Sequence, residues 1–166
     1  MTANNIFILS DAIQSGKTSA LQLLCNSQTS VAGFLTPDSN NLRVFVDIEK
    51  NEPFAFQKTI ADKIDDVIIG KFIFENAVFN KAHSILAQLH STSNDIIIID
   101  EIGKLELADK GFEPALHLFI EKINSITNKT IVLVIRDYLL EKCIAKYSIQ
   151  HATILNVQQF KNHFDL

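Results

Sequence analysis

The tightest constraint in this chain is Ile96-Ile97-Ile98-Ile99, four isoleucines in a row between Asp95 and Asp100. A strand that is apolar at every position needs cover on both faces, which favours a parallel sheet between layers of helices. Ile6-Phe7-Ile8-Leu9 and Ile131 to Ile135 have the same character, and Val31 to Leu35 reads as a further strand. Helical patterns separate them. Gly16 to Asn26 carries Ala20, Leu21, Leu24 and Cys25 on one side, and Asn76 to His90 puts Phe79, Ala82, Ile85, Leu86 and Leu89 on one face. Pro114 suits the first turn of a helix bearing Leu116, Phe119, Ile120 and Ile123. Tyr138 to Lys146 reads as a helix, Thr153 to Leu155 as a short strand, and Val157, Phe160 and Phe164 line a last helix. Such alternation is α/β.

Two stretches depart from it. Thr36 to Asn41 is turn-rich, and Val44, Val46 and Ile48 then alternate with Phe45 and Asp47 up to a polar tip at Glu49 to Glu52. Phe54-Ala55-Phe56 comes next, which makes a hairpin with Pro53 marking its second arm as an edge. Ile60 to Ile69 reads as a loop or short helix, and Lys71 to Phe74 as a strand. The expected class is α/β, a mostly parallel central sheet flanked by helices, with an added antiparallel hairpin.

With 166 residues, 47% apolar and 20% charged, residues 1–166 are expected to form a single globular domain. A net charge of −4 argues against a general nucleic-acid or anionic-membrane binder and leaves room for one basic pocket. Cys25 and Cys143 sit among apolar neighbours, which fits a reducing cytosol better than a disulfide framework. Met1 to Asn5 has no basic residue and the apolar run behind it is short, unlike a secretory leader. No run approaches the roughly 20 apolar residues of a membrane span. The expected location is cytoplasmic. The five histidines show no metal-ligand spacing, and the phenylalanines read as core.

Chemistry concentrates in two places. Ser10-Asp11-Ala12-Ile13-Gln14-Ser15-Gly16-Lys17-Thr18-Ser19 joins a strand to a helix, and Gly16-Lys17-Thr18 completes the second half of the phosphate-loop pattern G-x-x-x-x-G-K-[ST]. Loop amides at a helix N-terminus point at phosphate oxygens. Lys17 would reach the β- and γ-phosphates, and the Thr18 hydroxyl, with Ser19 beside it, would meet Mg²⁺. Asp11 stands where the first glycine belongs. A carboxylate there opposes an anionic ligand unless it turns away, and pairing with Lys17 is a second outcome.

The isoleucine strand ends in Asp100-Glu101, the pattern of a Walker B strand, whose aspartate helps hold Mg²⁺. The adjacent glutamate is placed to take a proton from attacking water. Arg136 ends the Ile131 to Ile135 strand, either near the γ-phosphate as a charge-stabilising cation or paired with Asp137. Arg43, which starts the hairpin, reads as a solvated arm. Lys104 either approaches the nucleotide or lies in water.

Asp100-Glu101-Ile102-Gly103-Lys104-Leu105-Glu106-Leu107 closely resembles the D-E-I-G-K-M-E-L signature of a small nucleoside-triphosphatase family known from thermophiles and from animals. Gly33-Phe34-Leu35-Thr36 is similar to that family's Gly-Phe segment. The resemblance implies a RecA-like P-loop fold and Mg²⁺-dependent hydrolysis of nucleoside triphosphates with loose base selectivity. It gives Lys17 and Thr18 the phosphate and metal roles, Asp100 the metal and Glu101 the base, and fixes no role for Lys104 and Glu106. Asp11 and Gln14 depart from the family's glycine-richer loop, which implies slow turnover. Two other readings stay open: a degenerate nucleotide-binding sensor or partner-binding module, and a small-molecule kinase with an acceptor under the Thr36 to Asn41 loop or the hairpin. No protein partner is specified.

Overall fold

The uniformly apolar strands lie side by side and parallel. The computed structural model describes residues 5–123, 126 and 128–166; residues 1–4, part of the N-terminal stretch without a basic residue, lie outside them. In chain order the elements are β1 (Asn5–Leu9), α1 (Lys17–Ser27), β2 (Val31–Leu35), β3 (Asp38–Ser39), β4 (Leu42–Asp47), β5 (Glu52–Ala55), β6 (Gln57–Lys58), β7 (Val67–Ile69) and β8 (Phe72–Phe74). They continue as α2 (Asn76–Leu89), β9 (Ile96–Ile102), α3 (Lys104–Leu107), α4 (Ala115–Lys122), β10 (Thr130–Ile135), α5 (Leu140–Tyr147), β11 (Thr153–Leu155) and α6 (Val157–His163).

The main sheet runs β11-β1-β10-β9-β2-β4-β3, with β5 also paired to β4. Its first five strands are mutually parallel, and β4 adds antiparallel pairing at the far side. The hairpin forms as expected from β4 and β5, with Pro53 on a strand paired only to β4. The stretch 60–69 is a loop through residue 66, one of its two expected forms, and departs from expectation only in its last three residues, which form β7. That strand pairs with β8, which also pairs with β6, so residues 57–74 carry a separate three-stranded sheet.

The unbroken apolar strands have the double cover they require. Along β9, Ile97 and Ile99 point into a core closed by Phe79, Leu86, Phe119 and Ile120 of α2 and α4. Ile98 points the other way, into a core closed by Leu21, Leu24 and Phe160 of α1 and α6. The same two-sided split holds for Ile131 and Leu133 against Val132 and Val134 in β10. Stacked and edge-on rings of Phe34, Phe45, Phe56, Phe79 and Phe112 fill the first core beneath the hairpin, so these phenylalanines are core as expected.

Gly33 shows how closely β2 meets β9. Its φ is +109°, and a Cβ built on it would overlap the Ile98 carbonyl oxygen of the neighbouring strand. That oxygen is backbone and cannot rotate aside. Gly33→Ala is therefore expected to cost about 3 kcal/mol or more. That corresponds to a melting temperature lower by roughly 6 to 12 °C for a chain of this size; a thermal shift under about 2 °C would contradict this close strand packing.

Candidate active site

The phosphate-loop motif spans the turn from β1 to α1, and β11 fixes its entry through a hydrogen bond from the Ser10 amide to the Leu155 carbonyl (3.0 Å). Gly16 caps α1 in the left-handed region at φ 91°, where nothing crowds its Cβ position, so glycine is needed there for its backbone angle and not for space. Lys17 folds back over the loop. Its ammonium donates to the carbonyls of Asp11 and Ala12, both at 2.7 Å, and to Ser15 Oγ at 3.4 Å. Burial pushes its pKa down, while Asp11, Asp137 and Asp100 pull it back up. Ala12, Ile13, Gln14 and Ser19 are exposed or half-buried on the loop surface.

Asp11 turns its carboxylate away, the condition under which its charge does not oppose a ligand, and the alternative pairing with the Lys17 ammonium does not form. Its side chain turns toward the C-terminal helix and accepts from the Val157 amide (3.1 Å) and from the Ala12 amide (2.8 Å). These backbone bonds hold its carboxyl below the usual aspartate range. Val157 opens α6, so the charge sits at a helix N-terminus, where it is favoured.

One strand, β10, separates β1 from β9, and β9 carries the two acids. A regular strand would send Asp100 and Glu101 to opposite faces. Here the register with β10 shifts near Leu133 to Ile135, and Glu101 takes φ 72°. This bulge turns Glu101 to the same side as Asp100. Both acids reach the Thr36 hydroxyl, Asp100 Oδ2 at 3.4 Å and Glu101 Oε2 at 3.3 Å. Asp100 also accepts from the Thr36 amide (2.9 Å) and the Thr18 hydroxyl (3.4 Å). It is fully enclosed; burial raises its pKa, and the Thr36 amide is the strongest opposing influence.

The two arginines converge on Glu101 from opposite sides. Arg136, at the end of β10, pairs with Oε1, and Arg43, from β4, pairs with Oε2. Arg136 does not form the expected alternative pair with Asp137, whose carboxylate instead accepts from the Tyr138 amide (2.8 Å). Arg43 is not a solvated arm. It also meets Asp38 (3.1 Å) and the Thr36 carbonyl (3.3 Å), because the β3–β4 pairing folds it inward.

A family model described as NTPase matches residues 6–163. The chain belongs to this NTPase family. No curated protein matches it. Two solved structures share its fold. The crystal structure of THEP1 from the hyperthermophile Aquifex aeolicus is 19% identical with a TM-score of 0.69, covering 92% of this chain and 89% of that one. The solution structure of a human cancer-related nucleoside triphosphatase is 17% identical with a TM-score of 0.66, covering 98% and 96%. The fold is thus that of the P-loop NTPases, as the sequence resemblance implied, and nucleotide binding and hydrolysis are the family's coarse function.

In this NTPase chain the rest of the eight-residue signature divides by role. Glu106 is structural. Its buried carboxylate brackets the next loop, accepting from the Gly103 amide (2.8 Å) and the Phe112 amide (3.1 Å). Lys104, the first residue of α3, lies with its ammonium 5.8 Å from the centre of the Tyr138 ring. Thr36 and Arg43 are the site residues that sequence reasoning missed. Thr36 closes the Gly-Phe segment, the one signal that pointed to it, and Arg43 had none. The Thr18 hydroxyl and Asp100 carboxylate form an all-oxygen pair suited to a hard cation that takes its other ligands from phosphate and water. Among the described residues, no group of three or more His, Cys, Asp or Glu could hold a metal ion.

These contacts carry two consequences for stability. Glu106→Ala strands two buried amides and should cost about 3 kcal/mol, with Glu106→Gln recovering only part because its NH₂ faces a donor; chemical denaturation would measure both. Asp11→Ala removes one acceptor at the α6 N-terminus and should cost about 1 kcal/mol by the same measurement.

Proposed function

We propose that this chain binds a Mg²⁺-bound nucleoside triphosphate across the carboxyl ends of β1, β10 and β9 and hydrolyses it slowly to nucleoside diphosphate and phosphate. The observation that carries this reading is the convergence of Lys17, Thr18, Asp100, Glu101 and Arg136 from the first turn of one helix and the ends of two parallel strands at one end of the sheet, where open α/β sheets take their ligands. Every member of that set addresses phosphate, metal or water, so the reading includes broad base selectivity among ATP, GTP, CTP and UTP. Both cysteines are free, as suits action in the cytoplasm.

The loop from Asp11 to Ser19 presents its amides to the phosphates, and Lys17 exchanges its two carbonyl partners for β- and γ-phosphate oxygens. Thr18 and Asp100 would hold Mg²⁺, which when bound neutralises charge on the β- and γ-phosphates. Glu101 accepts a proton from the attacking water. The water oxygen bonds to the γ-phosphorus, and the bond to the β–γ bridging oxygen breaks with its electron pair leaving on the diphosphate. Arg136, in reach of Glu101, sits where charge spreads over the transferring group. Slow turnover is consistent with the ground state: Lys17 and Glu101 are both engaged within the protein before ligand arrives.

Phosphate release from the four triphosphates with Mg²⁺ tests this. Glu101→Gln should lower turnover on the order of 10²- to 10⁴-fold while nucleotide still binds, and Lys17→Ala should abolish tight binding. Unchanged turnover in Glu101→Gln would remove the base assignment, and unchanged binding in Lys17→Ala the phosphate-loop assignment.

A further inference from the structure

The chain has two arginines, and both guanidiniums end on the same carboxylate. Arg136 belongs to the row of residues at the ends of the parallel strands. Arg43 does not: it comes from the antiparallel strand β4, two strands beyond β9, and is delivered by a local device. The β3–β4 turn pairs Arg43 with Asp38, whose carboxylate takes its Nε at 3.1 Å, and the Thr36 carbonyl takes Nη1 at 3.3 Å. These two anchors are independent of Glu101, so the guanidinium stays at the site when its pair with Glu101 breaks. The side chain remains about a quarter exposed, open to a ligand.

Glu101 has both carboxylate oxygens occupied, Oε1 by Arg136 and Oε2 by Arg43 and the Thr36 hydroxyl. In that state a guanidinium holds each oxygen, which weakens the carboxylate as a base toward water. Lys17, Arg43 and Arg136 stand against Asp38, Asp100 and Glu101, so the cluster is balanced only while Glu101 fills it. With Glu101 drawn aside, the two guanidiniums are left short of one anion, which suits an incoming phosphoryl group.

We propose that Arg43 is a second catalytic cation, and that the terminal phosphoryl group of the bound triphosphate displaces Glu101 from the two guanidiniums. Arg43 and Arg136 then grip the γ-phosphate oxygens from opposite sides, and Glu101 is released to face the attacking water. A diphosphate has no group to make this exchange, so the free base forms only over a complete substrate. This rests on the hydrolytic reading above and adds to it a residue and an order of events.

The test compares wild type, Arg43→Ala and Arg43→Lys in three measurements: turnover of Mg²⁺–ATP, affinity for Mg²⁺–ADP, and trapping of ADP with aluminium fluoride, which mimics the transferring phosphoryl group. Arg43→Ala should lose on the order of 10²-fold or more in kcat, keep ADP affinity within about twofold, and lose the aluminium fluoride complex. Arg43→Lys should recover little, because an ammonium does not reproduce the two-pronged guanidinium, and it carries the test if the alanine variant does not fold. In Glu101→Ala the arginines have no carboxylate to leave, so the preference for ATP over ADP should rise several-fold. Wild-type kcat and trapping in Arg43→Ala, or equal loss of ADP and ATP affinity, would overturn the proposal. If Glu101→Gln is inactive while Arg43→Ala turns over normally, only the role of Arg43 fails; if Glu101→Gln stays active, the hydrolytic reading fails first.

Discussion

Strand register sets the other distances in this protein. Leu9 lies opposite Val134, Leu133 opposite Ile99, and Ile99 opposite Phe34, so four parallel strands end within a residue or two of one another. The candidate site residues at the strand ends then fall on one line: the phosphate-loop motif after β1, Arg136 after β10, Asp100 and Glu101 within the end of β9, and Thr36 after β2. The double layer of apolar packing holds that line, because slipping any of these strands by one residue would exchange its two faces between two different cores.

Within that frame the bulge at Glu101 is the local departure that creates chemistry. Two consecutive acids on an ideal strand would be useless to each other. A left-handed residue at the second one brings both to the Thr36 hydroxyl, and non-glycine residues rarely adopt that conformation without tertiary support. The support here is electrostatic: Arg43 and Arg136 hold the displaced carboxylate from two sides. The strained backbone and the ion-pair cluster are thus parts of one arrangement.

The class of fold was legible in the sequence because unbroken apolar strands admit few environments, and the eight-residue run from Asp100 to Leu107 marked the family. Lys17, Thr18, Asp100 and Glu101 were legible because their spacing is local, set by one loop and one strand end. Arg43 was not. Its place at the site depends on the β3–β4 pairing and on β4 lying beside β2, neither of which leaves a periodic trace. The direction Asp11 takes stayed open for a similar reason: its partner, the Val157 amide, is 146 residues away, and only the fold brings it near. The stretch 60–69 hid a strand because β7 has three residues that are half-buried or exposed, too few to show a period.

The contact between Asp11 and Val157 also ties the two ends of the chain together. The first residue of the phosphate loop is at once the acceptor for the opening amide of the last helix, so the loop cannot be reshaped by a ligand without altering how that helix begins. Ligation and C-terminal docking are then thermodynamically linked. The amide protons of α6, remote from the acids on β9, are expected to slow or quicken their exchange with solvent as nucleotide comes and goes, making the end of the chain a readout of its beginning.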